Sequence, residues 1–134
     1  MTRSAQLPLP CALVATTDPV ARHKTADILA RHGYAVAGPF TWADAIRWVE
    51  GSSHEVAVLE FASRNAECLQ LARNLMAAQK PLVFYAEAEE LGGIPAELKA
   101  VPFVSKPDRE FTVLRLLSTM HNERLVRQLQ GAWA

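Results

Sequence analysis

Val56-Ala57-Val58-Leu59-Glu60 is an unbroken apolar run closed by a carboxylate, and a Lys106-Pro107 pair follows a later apolar segment. A short, continuously apolar run predicts a strand buried on both faces, as in a parallel sheet covered by helices. A carboxylate at the C-terminal end of such a strand stands where open α/β sheets place their chemistry. Whether Lys106 reaches that carboxylate depends on the strand order, which the neighbouring elements decide.

Upstream, Ala12-Leu13-Val14-Ala15 predicts the first strand, beginning at Cys11. Asp18-Pro19 then reads as a helix start, with Asp18 as N-cap and Pro19 at the first helical position. That helix is expected to run to about His32, with Ala21, Thr25, Ile28, Leu29 and His32 on one side and Gly33 as its left-handed stop. Tyr34 to Gly38 is expected as a second strand. Thr41-Trp42-Ala43-Asp44 opens a second helix like a capping box, and Gly51 ends it. Trp42, Ala45, Ile46 and Val49 form its apolar face.

Downstream, the Glu60 strand extends to Phe61, and Leu69, Ala72, Leu75 and Met76 mark a helix from about Arg64 to Gln79. Pro81 opens a fourth strand over Leu82-Val83-Phe84-Tyr85. Gly92-Gly93 and Pro95 divide the segment between Glu87 and Ala100, so one or two short turns are expected there. Val101 to Ser105 is the fifth strand. Asp108 is expected to cap a last helix with Phe111, Leu114, Leu117 and Met120 on its apolar side.

Five short strands alternating with helices require a mainly parallel sheet wrapped on both faces, and right-handed crossovers restrict the order. The fold class is α/β, a flavodoxin-like three-layer sandwich of order 2-1-3-4-5. That order gathers Thr16, Thr17, Asp18, Glu60 and Lys106 on one rim. The expected organisation is an irregular tail over 1–10, a domain over 11–120, and a helical extension over 121–134. In the extension Leu125, Val126 and Leu129 continue an apolar side beyond the domain, which points to a homodimer contact or a linker.

Fourteen basic and fourteen acidic residues cancel, so no overall field draws the chain to nucleic acid or to an anionic membrane. No apolar stretch approaches the roughly 20 residues of a membrane span. Pro8 and Pro10 interrupt any secretory h-region, and the cytoplasm is the expected location. Cys11 and Cys68 fall inside apolar elements and read as small buried thiols. His23, His32, His54 and His121 show no metal-site spacing and are expected at the surface or at helix ends. Trp42 is expected to pack at its helix start, and Trp48 is a candidate contact residue. A nucleotide-binding protein or enzyme of this fold would need a glycine-rich loop where Thr16-Thr17-Asp18-Pro19 stands, and no nucleophile elbow occurs.

The chain resembles the receiver domain of bacterial two-component response regulators over about residues 11 to 118. The match is carried by Leu13-Val14-Ala15-Thr16-Thr17-Asp18-Pro19, by Gly33-Tyr34-Ala35-Val36-Ala37-Gly38-Pro39, and by Phe103 and Lys106-Pro107. The resemblance implies an acidic pair for magnesium after the first strand, a phosphoacceptor Asp ending the third, and a Thr or Ser ending the fourth. It also implies an aromatic residue on the fifth strand and a Lys after it. Here the acidic pair falls on Thr16 and Thr17, with Asp18 the residual acid, and the phosphoacceptor position falls on Glu60. The Thr/Ser position falls on Ala86 or, one residue earlier, on Tyr85. Phe103 and Lys106 are kept.

The resemblance therefore implies a non-enzymatic signalling module, whose partners are a histidine kinase, another receiver or an output protein. Threonine hydroxyls do not replace two carboxylates around a hard cation, and metal-assisted phosphoryl transfer depends on that cation. Glu60 also carries its carboxylate one bond further than Asp, and a shift of about 1 Å costs roughly a hundredfold in rate. The expectation is an atypical receiver without ordinary phosphorylation and without a magnesium cofactor. Either Glu60 gripped by Lys106 imitates the phosphorylated acid, or it is a relic of a disused site. The alternative functions are a receiver phosphorylated at a non-standard site and a flavodoxin-like nucleotide-binding protein.

Overall fold

Fully buried apolar runs form the centre of the molecule, a five-stranded parallel sheet of order β2-β1-β3-β4-β5. The strands are β1 (Cys11–Ala15), β2 (Ala35–Phe40), β3 (Val56–Glu60), β4 (Leu82–Ala86) and β5 (Phe103–Ser105). The helices are α1 (Lys24–Arg31), α2 (Trp42–Gly51), α3 (Ala66–Ala77) and α4 (Glu110–Trp133). The structure, a computed structural model, describes residues 9–18, 23–106 and 109–133. Alternate residues of the central strands enter different layers, as strand periodicity requires. Leu13, Leu59 and Phe84 pack with α2 and α3, whereas Val14, Val58, Val83 and Tyr85 pack beneath α1 and α4.

The flavodoxin-like order agrees with the sequence reading, and the differences lie at element ends. The described α1 begins at Lys24 and is capped by His23, whose Nδ1 accepts from the Ala26 amide at 3.2 Å. Asp18 is not its cap, and its own amide donates to Thr16 Oγ1. Ala21, Pro19, Pro107 and the expected cap Asp108 lie outside the described residues. Tyr34 belongs to the end of α1, since its amide bonds to the Leu29 carbonyl. Thr41 caps α2 through the Asp44 amide as expected, while Gly51 is the last residue inside that helix. Asn65 caps α3, so that helix starts at Ala66 rather than Arg64.

Between β4 and β5 the chain forms two 3-10 turns, Ala88–Gly93 and Ala96–Leu98, where Gly92, Gly93 and Pro95 suppress a regular helix. β5 starts at Phe103, not Val101, because Pro102 has no amide to enter the ladder. Its carbonyl still accepts from the Phe84 amide at 2.9 Å.

α4 packs against β3, β4 and α1. Its first turn meets the end of β4, where Tyr85 donates to Glu110. Val113, Leu114 and Leu117 are its buried positions, whereas Phe111 is 60% exposed with its ring edge against His32. The sequence pattern puts Phe111 on the core side with Leu114 and Leu117; in the structure Val113 joins those two there and Phe111 is exposed. Every residue from Leu125 to Gly131 is exposed.

Candidate functional site

The rim at the C-terminal ends of β1, β3 and β4 is shaped by an irregular pairing between β1 and β2. Register shifts between Leu13 and Ala15, so that Ala15 pairs with Phe40. Gly38 has φ +108, and a Cβ there would stand 2.6 Å from the Val14 carbonyl oxygen, so only glycine fits without strain. This irregularity carries β2 far enough for the Phe40 carbonyl to accept from the Thr16 amide at 2.8 Å. Thr16 is thereby held beside the end of β3.

Glu60 ends β3 with only 8% of its surface exposed. Its Oε1 accepts from the Thr16 hydroxyl and from the Thr17 amide, the latter at 2.9 Å. Its Oε2 is paired with the Lys106 ammonium, and His23 Nε2 stands 4.0 Å from the same oxygen. The backbone is fixed as well, because Trp42 Nε1 donates to the Glu60 carbonyl at 2.9 Å. Burial by itself raises the carboxyl pKa. The hydrogen bonds from Lys106, Thr16 and Thr17 outweigh it and hold Glu60 below its ordinary value. Glu60 is therefore ionised at neutral pH.

His23 is shifted the other way. Burial lowers its pKa, against the pull of the Glu60 carboxylate. A neutral ring also suits its cap, since Nδ1 must keep a lone pair for the Ala26 amide.

The structure brings Glu60, Lys106, Thr16 and Thr17 together, and places Asp18 at the edge, exposed and joined through its amide. Ala86 is buried, and its carbonyl accepts from the Lys106 amide at 2.8 Å. Phe103 is half-buried opposite Phe84. Tyr85, not Ala86, is the residue in register with Glu60. Its ring centroid lies 5.6 Å from Lys106 Nζ, and its hydroxyl donates to Glu110 at 2.9 Å.

Sequence reasoning missed His23 and Trp42 as neighbours of Glu60. The Thr41 cap marks where α2 begins, but the packing of the starts of α1 and α2 against the end of β3 is a long-range contact that no local pattern carries. Three other expectations are corrected. His54 is buried, and burial together with Lys80 and Arg124 pushes its pKa down to about 4. His121 lies inside α4, not at a helix end, and its Nδ1 is buried without a hydrogen-bond partner among the described residues. Cys11 is only partly buried. Trp48 keeps part of its surface exposed and rests its ring against Phe40.

A second tie lies beside the rim. Glu90 accepts from the Ser63 amide at 2.7 Å and its hydroxyl at 2.8 Å, which lowers the Glu90 pKa and joins the first 3-10 turn to the loop after β3. Gly93 permits the approach, since a Cβ there would come within 2.4 Å of Ser63 Oγ. Among the described residues no cluster of three or more His, Cys, Asp or Glu side chains forms a metal site.

The architecture and the rim define a flavodoxin-like α/β protein with its polar cluster at the C-terminal strand ends. Among solved structures the fold is that of response regulator receiver domains. A response regulator receiver protein from Sinorhizobium medicae superposes with a TM-score of 0.69 at 20% identity, covering 89% of this chain and 99% of that one. The signal receiver domain of a protein described as a Luxo repressor, from Vibrio parahaemolyticus, gives 0.69 at 13% identity, covering 90% and 96%. A receiver domain of a Francisella response regulator gives 0.61 at 15%, covering 86% and 98%. No family model matches the sequence, and no curated protein matches it.

Proposed function

We propose that this chain is an atypical receiver-type signalling module, acting in a two-component phosphorelay by binding a partner protein and not phosphorylated at Glu60. The observation that carries this reading is the state of the Glu60 carboxylate: buried, ionised, and engaged at both oxygens by Thr16, Thr17 and Lys106. A carboxylate already held by an ammonium is a poor nucleophile toward a phosphoryl donor. Held by Lys106, it serves instead as a constitutive substitute for a phosphorylated acid; the competing account is a relic whose carboxylate is paired for stability alone.

The donor set does not suit magnesium. Thr16 and Thr17 supply neutral oxygens, the Thr16 hydroxyl already donates to Glu60, and Asp18 is a single exposed acid. On this reading the module is no enzyme and uses no cofactor. Residues 11–120 form its body and 121–134 its extension, and it works in the cytoplasm. No described helix is long and apolar enough to cross a membrane.

Partners of this class are a histidine kinase, another receiver or an output protein. The surface offered to them comprises the two 3-10 turns, β5 with Phe103, and α4. Leu125, Val126 and Leu129, 42%, 51% and 62% exposed, extend that surface and supply a homodimer contact. Light scattering on a chain cut after Thr119 is expected to show a loss of oligomer; an unchanged mass would remove the extension from the dimer.

Acetyl phosphate or beryllofluoride with magnesium, followed by intact mass and NMR, tests the central chemistry. The expected result is no adduct and no shift at Glu60. An adduct localised to Glu60 would establish the other reading, a receiver phosphorylated at a non-standard site.

A further inference from the structure

At the opposite end of the sheet from Glu60, the turns that enter β3 and β4 and the last turns of α2 and α3 line a cavity of about 470 Å³. Its apolar side includes Val49 and Leu75, and its polar side Ser53, His54, Asn74 and Lys80. His54 is 4% exposed, yet its ring makes no hydrogen bond among the described residues. A buried polar group without a partner costs free energy, and native folds satisfy most such groups. Beside it the half-buried Lys80 has no ion pair among the described residues. Burial and the Lys80 charge keep the imidazole neutral at ordinary pH, so one ring nitrogen is a donor and the other an acceptor.

We propose that this cavity binds a small organic carboxylate, held by the Lys80 ammonium and the His54 N–H, with its hydrocarbon part against Val49 and Leu75. A carboxylate answers both unmet groups at once, since its two oxygens accept from an ammonium and from an imidazole. The negative charges nearby do not compete for Lys80. Glu55 accepts from the Cys11 amide, and Glu50 is exposed to water. The carbonyls that end α3 are taken as well, by the Ala78 and Gln79 amides, so that helix end is not a ready seat for a cation. The apolar wall favours a ligand with a short hydrocarbon chain over a bare phosphate or sulfate ion. The site is independent of the reading of Glu60, because His54 precedes β3 and Glu60 ends it, roughly 20 Å apart along an extended chain.

The test is an NMR titration of the full chain with sodium butyrate at neutral pH and constant ionic strength, reading backbone amides and the His54 ring nitrogens. Inorganic phosphate and butylammonium are titrated in parallel. Butyrate is expected to give saturable shifts at Ser53, His54, Asn74 and Lys80, with a Kd on the order of 1 mM and no shift at Glu60. Lys80→Gln is expected to weaken it about tenfold, the loss of one hydrogen bond to a charged group. Shifts that do not saturate, an affinity unmoved by Lys80→Gln, or butylammonium shifting the same residues would overturn the proposal. Phosphate binding as tightly as butyrate would overturn the role given to Val49 and Leu75. If Lys80→Gln fails to fold, the wild-type titration still decides, since saturation and its location are read there.

Discussion

The two ends of α4 stand in opposite environments. At its first turn, Glu110 belongs to a polar cluster that runs through Tyr85 and Lys106 to a Glu60 carboxylate engaged at both oxygens. At its far end, every residue from Leu125 to Gly131 is exposed. One end is a site closed on itself, with its charges neutralised internally. The other presents apolar surface outward. The contrast teaches that the charged groups of the rim are satisfied within the fold while apolar surface is left exposed along the helix.

The contrast is broken most severely by Lys106→Met, which leaves Glu60 buried without its counter-charge. Breaking a buried pair typically costs about 3–5 kcal/mol. Because the Lys106 side chain is 27% exposed, a loss of about 2–3 kcal/mol in urea unfolding is expected. Adding Glu60→Gln to that variant should recover part of it. Thr16→Val removes one donor to Glu60 and the acceptor for the Asp18 amide. The expected loss is about 1–2 kcal/mol, with a rise in the Glu60 pKa readable by NMR.

The same residues decide how much of the site is legible in the sequence. The apolar runs of β1, β3 and β4 are long enough to fix the sheet, and the order then brings Lys106 to Glu60 without further information. Thr16 and Thr17 come with the end of β1. The start of the described α1 is not legible, because His23, the residue that caps it, is an uncommon cap and Asp18 offers a commoner one. Tyr85 enters only as an alternative to Ala86, since a one-residue register decides which of them stands opposite Glu60. Such a register comes from long-range pairing, which a local pattern does not contain.

Acid separates the two edges of the sheet more gently. His54, buried just before β3, has its pKa pushed by that burial and by Lys80 from 6.5 to about 4. The unfolded chain therefore binds a proton that the folded one refuses between those values, and stability falls as pH drops from 6.5 toward 4. His54→Asn should flatten that slope in pH-dependent urea melts. Leu129→Ser is expected to have the smallest effect on the folded monomer, within about 0.5 kcal/mol, and to weaken self-association measured by light scattering.

The central claim is that Glu60 is held as a carboxylate by its neighbours, and a carbon-13 NMR titration of its side-chain carboxyl tests it most directly. Its folded pKa is depressed, so the stabilisation is present above the ordinary value of 4.5 and lost as pH falls through the native midpoint. The account predicts a midpoint below 4.5 that rises in Lys106→Met. A midpoint at or above 4.5, unmoved by that substitution, would contradict it.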